Sequence, residues 1–236
     1  MKPTNKMFLV AMAGLAISVV TIQAQLSLNF ASTAGSTIQF NGTNSSFLFH
    51  ASTMPADFGT QWQIGSESGG VGSAVGLFGV VSNSPFSYGA ITTTLLPGIT
   101  IQSANVTGPL GSLYIADSLN HLLTGTVNWV QVETINSIGG INAALTINIT
   151  GLTYSGTNPD LMALVAGGPG SMDLSFQFSP SMTLSQLTSG SGPYATSYSG
   201  SISVPGPVPE PASVTFILLG MGALVCSWRL KHSGNA

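Results

Sequence analysis

Positive charge is almost missing from this chain. Its only basic side chains are Lys2, Lys6, Arg229 and Lys231, all in the terminal segments. Between residues 25 and 208 there is no Lys or Arg, whereas Asp57, Glu67, Asp117, Glu133, Asp160 and Asp173 give that stretch a formal charge of minus six. With Glu210 and the four basic residues added, the whole chain of 236 residues carries minus three. A stretch without cations does not neutralise phosphates, which excludes DNA, RNA and anionic lipid headgroups as its electrostatic partners. Lys and Arg ion pairs are excluded as well, so the fold of the middle must rest on burial and backbone hydrogen bonds.

Cysteine is equally scarce. The single Cys226 lies inside a C-terminal apolar run, so the middle has no disulfide framework, and the residue reads as a small apolar filler. The motifs of common chemistry are lacking too. A Walker-type loop needs a lysine, and no EF-hand pattern appears. In Gly65-Ser66-Glu67-Ser68-Gly69 the centre of an apparent nucleophile elbow is Glu67, not Ser. His50 and His121 sit in no metal-ligand spacing, and each reads as an ordinary satisfied polar residue. The six acids are scattered, as surface acids on loops would be, although a glycosidase needs only one converging pair. Asn41, Asn44, Asn105 and Asn148 match the glycosylation sequon as chance would have it in so Asn-, Ser- and Thr-rich a chain. No catalytic residue, metal site or cofactor is expected, and the chain reads as a non-enzyme.

The two ends are more informative. Residues 1–24 have the parts of a secretory signal: Lys2 and Lys6, an apolar stretch from Met7 to Val20, and the small residue Ala24 before Gln25. Signal peptidase is expected to cut between Ala24 and Gln25. At the other end, residues 212–228 carry no charge and are followed at once by Arg229 and Lys231. A helix over that run is roughly 26 Å long, enough to span a slightly thinned bilayer. The basic residues place segment 229–236 in the cytoplasm, and the signal puts the middle on the far side.

Ahead of that helix stands Val208-Pro209-Glu210-Pro211-Ala212, in a proline-rich linker over 205–211. Each proline fixes its own φ and holds the preceding residue extended, so the motif should be an exposed peptide above the membrane. Pro-Glu-Pro, an apolar helix and an Arg-led basic end together closely resemble the PEP-CTERM sorting signal. The resemblance covers about a tenth of the chain. It implies recognition and processing by exosortase, an integral-membrane transpeptidase-like enzyme of Gram-negative bacteria that make extracellular polysaccharide. Such tails also carry the label of an ice-binding C-terminal domain. An ice-binding face needs regularly spaced Thr, whereas consecutive Thr92, Thr93 and Thr94 point to opposite faces of a strand.

Residues 25–204 show apolar residues at every second position: Leu26, Leu28 and Phe30; Ile38 and Phe40; Phe47 and Phe49; Trp62 and Ile64. The pattern continues with Ile99 and Ile101; Val127 and Trp129; Leu145, Ile147 and Ile149; and Met172, Leu174, Phe176 and Phe178. Strands of this period, separated by Gly, Ser, Asn and Pro, predict an all-β domain, an antiparallel β-sandwich or irregular barrel. Asn158-Pro159-Asp160 is able to open one short helix with Asn as its cap, although a strand fits the apolar run after it. The whole then reads as an exported surface or extracellular-matrix protein, anchored first by its tail. Its expected partners are signal peptidase, exosortase, the membrane and extracellular polysaccharide. The alternatives are a carbohydrate-binding module stacking sugars on Trp62, Trp129 or Tyr, a secreted hydrolase, and an ice-binding protein. Because Trp62 and Trp129 keep step with apolar neighbours, both are expected in the core.

Overall fold

The computed structural model describes residues 25–57, 59–82, 85–136, 143–189 and 192–205. Ala24, the sorting motif Val208 to Ala212, the apolar run 212–228 and the basic residues Arg229 and Lys231 lie outside them. Gln25 is described, exposed, just before the first strand. Among the described residues no helix is long and apolar enough to cross a membrane.

Alternation builds the strands as expected. In β1 (Leu26–Ser32), Leu26, Leu28 and Phe30 are buried, and the residues between them face outward. Seven further strands close an antiparallel barrel with it: β4 (Trp62–Ser68), β5 (Phe78–Val81), β9 (Gly111–Ala116), β10 (Leu122–Asn136), β11 (Ala143–Tyr154), β12 (Gly170–Phe176) and β14 (Tyr198–Val204). The closing contact is between the first and last strands, with Leu26 opposite Val204 and Ala31 opposite Ser199. Of the two architectures expected, the barrel is the one found.

β10 is long enough to serve two neighbours. Its first half pairs with β9, and its second half pairs with β8 (Ile99–Asn105), which forms a hairpin with β7 (Thr92–Leu96). A register shift after Trp129 in the β10–β11 ladder accompanies this change of neighbour, and Val130 faces solvent there. The burial of β8 departs from its sequence pattern, because the buried residues are Gln102 and Ala104 while Ile99 and Ile101 are only half-buried.

A second sheet runs in the order β13 (Tyr194–Thr196), β2 (Thr37–Asn41), β3 (Ser46–His50) and β6 (Phe86–Ser87). Its rings pack on those of the barrel: Phe49 stacks on Trp129 with centroids 5.5 Å apart, and Phe40 meets Phe176 at 4.9 Å. Trp62 and Trp129 are both buried in this core, as expected. The buried Gln61 ties the two sheets together: its side-chain amide donates to the Val81 carbonyl of β5 at 2.9 Å and to the Phe49 carbonyl of β3 at 3.5 Å, and accepts from the Val81 N–H at 2.7 Å. The Tyr198 hydroxyl donates to the Gln61 carbonyl at 3.0 Å.

Two short helices complete the domain. In α1 (Pro159–Ala166) the Asn158 side chain accepts from the N–H groups of Asp160 and Leu161, and Pro159 occupies the first turn. This is the helix opening foreseen in the sequence, and burial of Leu161 and Leu164 explains its apolar run. α2 (Leu184–Ser189) carries no strong sequence signal; it is held by burial of Leu184 and Leu187 and by a 2.8 Å bond from the Leu184 N–H to the Thr134 hydroxyl.

Antiparallel order decides which loops share an end of the barrel. The segments 69–77, 117–121 and 155–169, with α1, lie at the same end as Leu26 and Val204. The starts of β12's partner rows at Phe176 and Tyr198 lie at the opposite end.

Candidate functional site

At the α1 end three of the six described acids, Glu67, Asp117 and Asp160, come together. Asp160 is buried, and its carboxylate accepts from the Val71 N–H at 2.9 Å, the Ser73 N–H at 2.6 Å, the Ser73 hydroxyl at 2.5 Å and the Ala74 N–H at 3.1 Å. Glu67 accepts from the Gly72 N–H in the same loop. A Cβ on Gly70 would fall within 2.6 Å of both carboxyl groups, so only glycine lets the loop pass between them. Burial pushes the Asp160 carboxyl up, but the hydrogen bonds from Ser73 and Val71 outweigh it and hold Asp160 below the ordinary carboxylate range. Burial and the adjacent Asp160 charge push Glu67 the other way, above its ordinary 4.5.

Asn158 carries the network onward. Its side chain donates to the Ser73 carbonyl at 2.8 Å, and its N–H donates to the Tyr154 hydroxyl at 3.0 Å. That hydroxyl donates to Asp117 Oδ2 at 2.6 Å, where His121 Nδ1 also sits at 3.0 Å. Asp117 Oδ1 accepts from the N–H groups of Leu119 and His121, both at 2.8 Å. The Tyr154 hydroxyl is the main group holding Asp117 down to about 2, with the His121 bonds adding to it against the cost of burial. Three acids read as loose surface acids are therefore joined in one network, and His121, read as a lone histidine, is paired with Asp117.

These groups do holding work. Both Asp160 oxygens are taken by N–H groups and the Ser73 hydroxyl, and Asp117 Oδ1 by two N–H groups, whereas Glu67 Oε2 is buried and accepts no N–H. His121 keeps 43% of its side chain exposed, and among the described residues its side chain bonds only Asp117, so no Ser or Cys nucleophile completes a triad. Among the described residues no cluster of three His, Cys, Asp or Glu is placed to hold a metal. His50 is exposed at the end of β3.

The other arrangement lies on the outer face of β1, β14 and β12. Register aligns Ser27, Ser203 and Ser171 in one row, and Asn29, Ser201 and Asp173 in the next. A third row holds Ala31, Ser199 and Ser175. Rows of this kind repeat about every 7 Å along the strands and about every 5 Å across them. Neighbouring hydroxyls touch, Ser171 to Ser203 at 3.0 Å and Ser175 to Ser199 at 3.4 Å. Beside the third row an open groove of about 560 Å³ is lined by Ser32, Ser175, Gln177 and Ser199 and by Phe176 and Tyr198, which are themselves buried. None of its lining residues is charged.

Sequence reasoning missed this face because it followed the apolar members of each strand. The signal was present in the complementary positions, as in Ser199, Ser201 and Ser203 or Ser171, Asp173 and Ser175. Only the register shows that these short polar series lie side by side. Comparison with family models, with curated proteins and with solved structures finds no match to this chain.

Proposed function

We propose that this chain is an exported, non-enzymatic surface or extracellular-matrix protein, sorted by a tail that resembles the PEP-CTERM signal and processed by exosortase. The observation that carries this reading is the pairing of β1 with β14, Leu26 opposite Val204. The barrel closes between the two expected processing points, so removing the residues before Gln25 and those after Pro211 takes away none of the described strands. A domain built this way survives the loss of both ends, as a sorted cargo must. Hydrogen bonds on both oxygens of Asp160 and of Asp117 support a holding role for these two acids. Residues 212–228 serve as the temporary membrane anchor, with Arg229 and Lys231 on the cytoplasmic side.

Intact mass of the protein recovered from surface and matrix fractions of its native host tests this. A chain starting at Gln25 and lacking the region after Pro211 is expected. A mass that retains 212–236, or protein found only inside the cell, overturns the proposal.

One observation favours a more specific reading, contact with neutral glycan. The groove beside Ser175 and Ser199 offers serine hydroxyls with no charge, chemistry that suits an uncharged sugar. Trp62 and Trp129 are buried and offer no stacking platform. Titration with neutral polysaccharide fragments should broaden backbone signals of Ser175 and Ser199, and Ser199→Trp should abolish the effect. Flat titrations across a broad sugar panel would remove this reading and leave the sorting proposal standing.

A further inference from the structure

β7 is an edge strand without protection. It hydrogen-bonds to β8 on one side and ends the sheet on the other. All five of its residues, Thr92 to Leu96, are exposed, with Leu95 at 74% and Leu96 at 49%. Natural proteins shield such an edge with charge, proline or a bulge. β7 contains neither charge nor proline, and its register with β8 runs without a shift.

The free hydrogen-bonding groups follow from the hairpin. Pro97 and Gly98 form a two-residue turn closing on the pair Leu96 and Ile99, with Gly98 at φ +74°. The closing pair of such a turn exchanges both of its backbone bonds, and bonded pairs then alternate along the ladder. Thr94 and Thr92 therefore spend their backbone groups on Ile101 and Ser103, while those of Thr93 and Leu95 face away from β8. A 3.1 Å bond from Gln102 Nε2 to the Thr93 hydroxyl bridges the intervening pair.

We propose that this edge pairs antiparallel with β7 of a second copy of the chain, joining two barrels in a two-fold dimer. Full overlap of the five residues centres the axis on Thr94, sets Thr92 beside Leu96 and Thr93 beside Leu95, and gives the outward groups of Thr93 and Leu95 their partners. Each exposed leucine then lies against a threonine methyl of the other copy. Charge does not oppose self-pairing at this edge, where the acid in register, Glu133, lies on β10 behind Ser103 of β8. The domain's six acids repel a second copy, but the sequence from Ser68 to Ala116, which includes β7 and β8, has no charged residue. The assembly closes at two copies, because the other free sheet edges, β13 and β6, have only three and two residues.

Disulfide trapping in the full chain in detergent tests this, with Cys226→Ser as background. In the proposed register Thr94 faces its own counterpart at a Cα separation of about 4.5 Å, within disulfide reach. Two copies of Thr92 stand about 14 Å apart, beyond it. Under mild oxidation Thr94→Cys should give a covalent dimer and Thr92→Cys should not. Adding Leu95→Lys to Thr94→Cys should abolish the dimer, while unchanged tryptophan emission shows that the barrel is intact. Absence of the Thr94→Cys dimer, equal trapping at both positions, as a dimer held by the membrane segment would give, or trapping that survives Leu95→Lys would each overturn the proposal.

Discussion

Asp160 and Ser73 stand 87 positions apart in the chain, yet the Asp160 carboxylate accepts both the N–H of Ser73, at 2.6 Å, and its hydroxyl, at 2.5 Å. Val71 and Ala74 add two more N–H bonds, so one buried side chain fastens the loop between β4 and β5 onto the start of α1. Asp160→Ala strands these donors, and leaving buried donors unpaired costs about 3 kcal/mol in total. Asp160→Asn keeps one acceptor oxygen and should cost less. Urea midpoints of the two variants check the order, and amide exchange should rise first at residues 71–74.

Asp117 and Asp160 at this end act against Glu67 with pH. Asp117, held at about 2 against an ordinary 3.8, and Asp160, also lowered, stabilise the fold above the ordinary value. That contribution is lost as pH falls from 3.8 through their folded values. Glu67 is raised above 4.5, so its contribution is present below 4.5 and lost as pH rises through the folded value. Glu67→Gln keeps an acceptor for the Gly72 N–H without the charge. The variant should gain stability over the native chain at pH 7 and lose that advantage at pH 4, read from thermal midpoints at the two pH values.

The Tyr154 hydroxyl sits between Asp117 and the Asn158 N–H, donating to one and accepting from the other. Tyr154→Phe removes the bond that does most to lower Asp117. Carboxyl NMR should show the Asp117 titration moving up from about 2 toward 3.8. His121→Ala, which keeps both backbone N–H bonds to Asp117 Oδ1, should move it less. A larger shift in His121→Ala would mean that the imidazole, and not the phenol, sets this carboxylate.

Much of the barrel is legible as alternation, since Leu26, Leu28 and Phe30 or Met172, Leu174 and Phe176 need only a period of two to be placed inside. The strands that escape notice have weak alternation for a physical reason. β7 buries neither face, and β8 turns Gln102 and Ala104 inward at the change of neighbours along β10, so its isoleucines mislead. The Asn158 cap is legible because its chemistry is local. The polar network is not, because the bonds from Asp160 to Ser73 and from Tyr154 to Asp117 join loops that only closure of the barrel brings together. His121 and Asp117 are four residues apart, and that spacing, meaningful on a helix, says little in the loop where they meet.

Gly79 and Trp62 face each other in tight contact across β5 and β4. A Cβ built on Gly79 would stand 2.0 Å from one atom of the indole ring and within 2.4 Å of two others, closer than any real contact. The ring has little room to yield, because Trp62 is fully buried and the Phe30 ring lies against it with centroids 4.7 Å apart. Gly79→Ala therefore forces Trp62 off its position, spreading the strands or displacing Phe30, and overpacking of this kind costs about 3 kcal/mol. Gly65 on the adjacent strand is the control, since a Cβ there meets nothing within 4 Å and its backbone φ suits any residue. Gly65→Ala should change stability by less than about 0.5 kcal/mol. Denaturant midpoints measure the pair, and tryptophan emission should shift in Gly79→Ala alone. Equal stability of the two variants would mean that Trp62 has a second place to go, and that the close packing of β4 on β5 does not fix the barrel at this point.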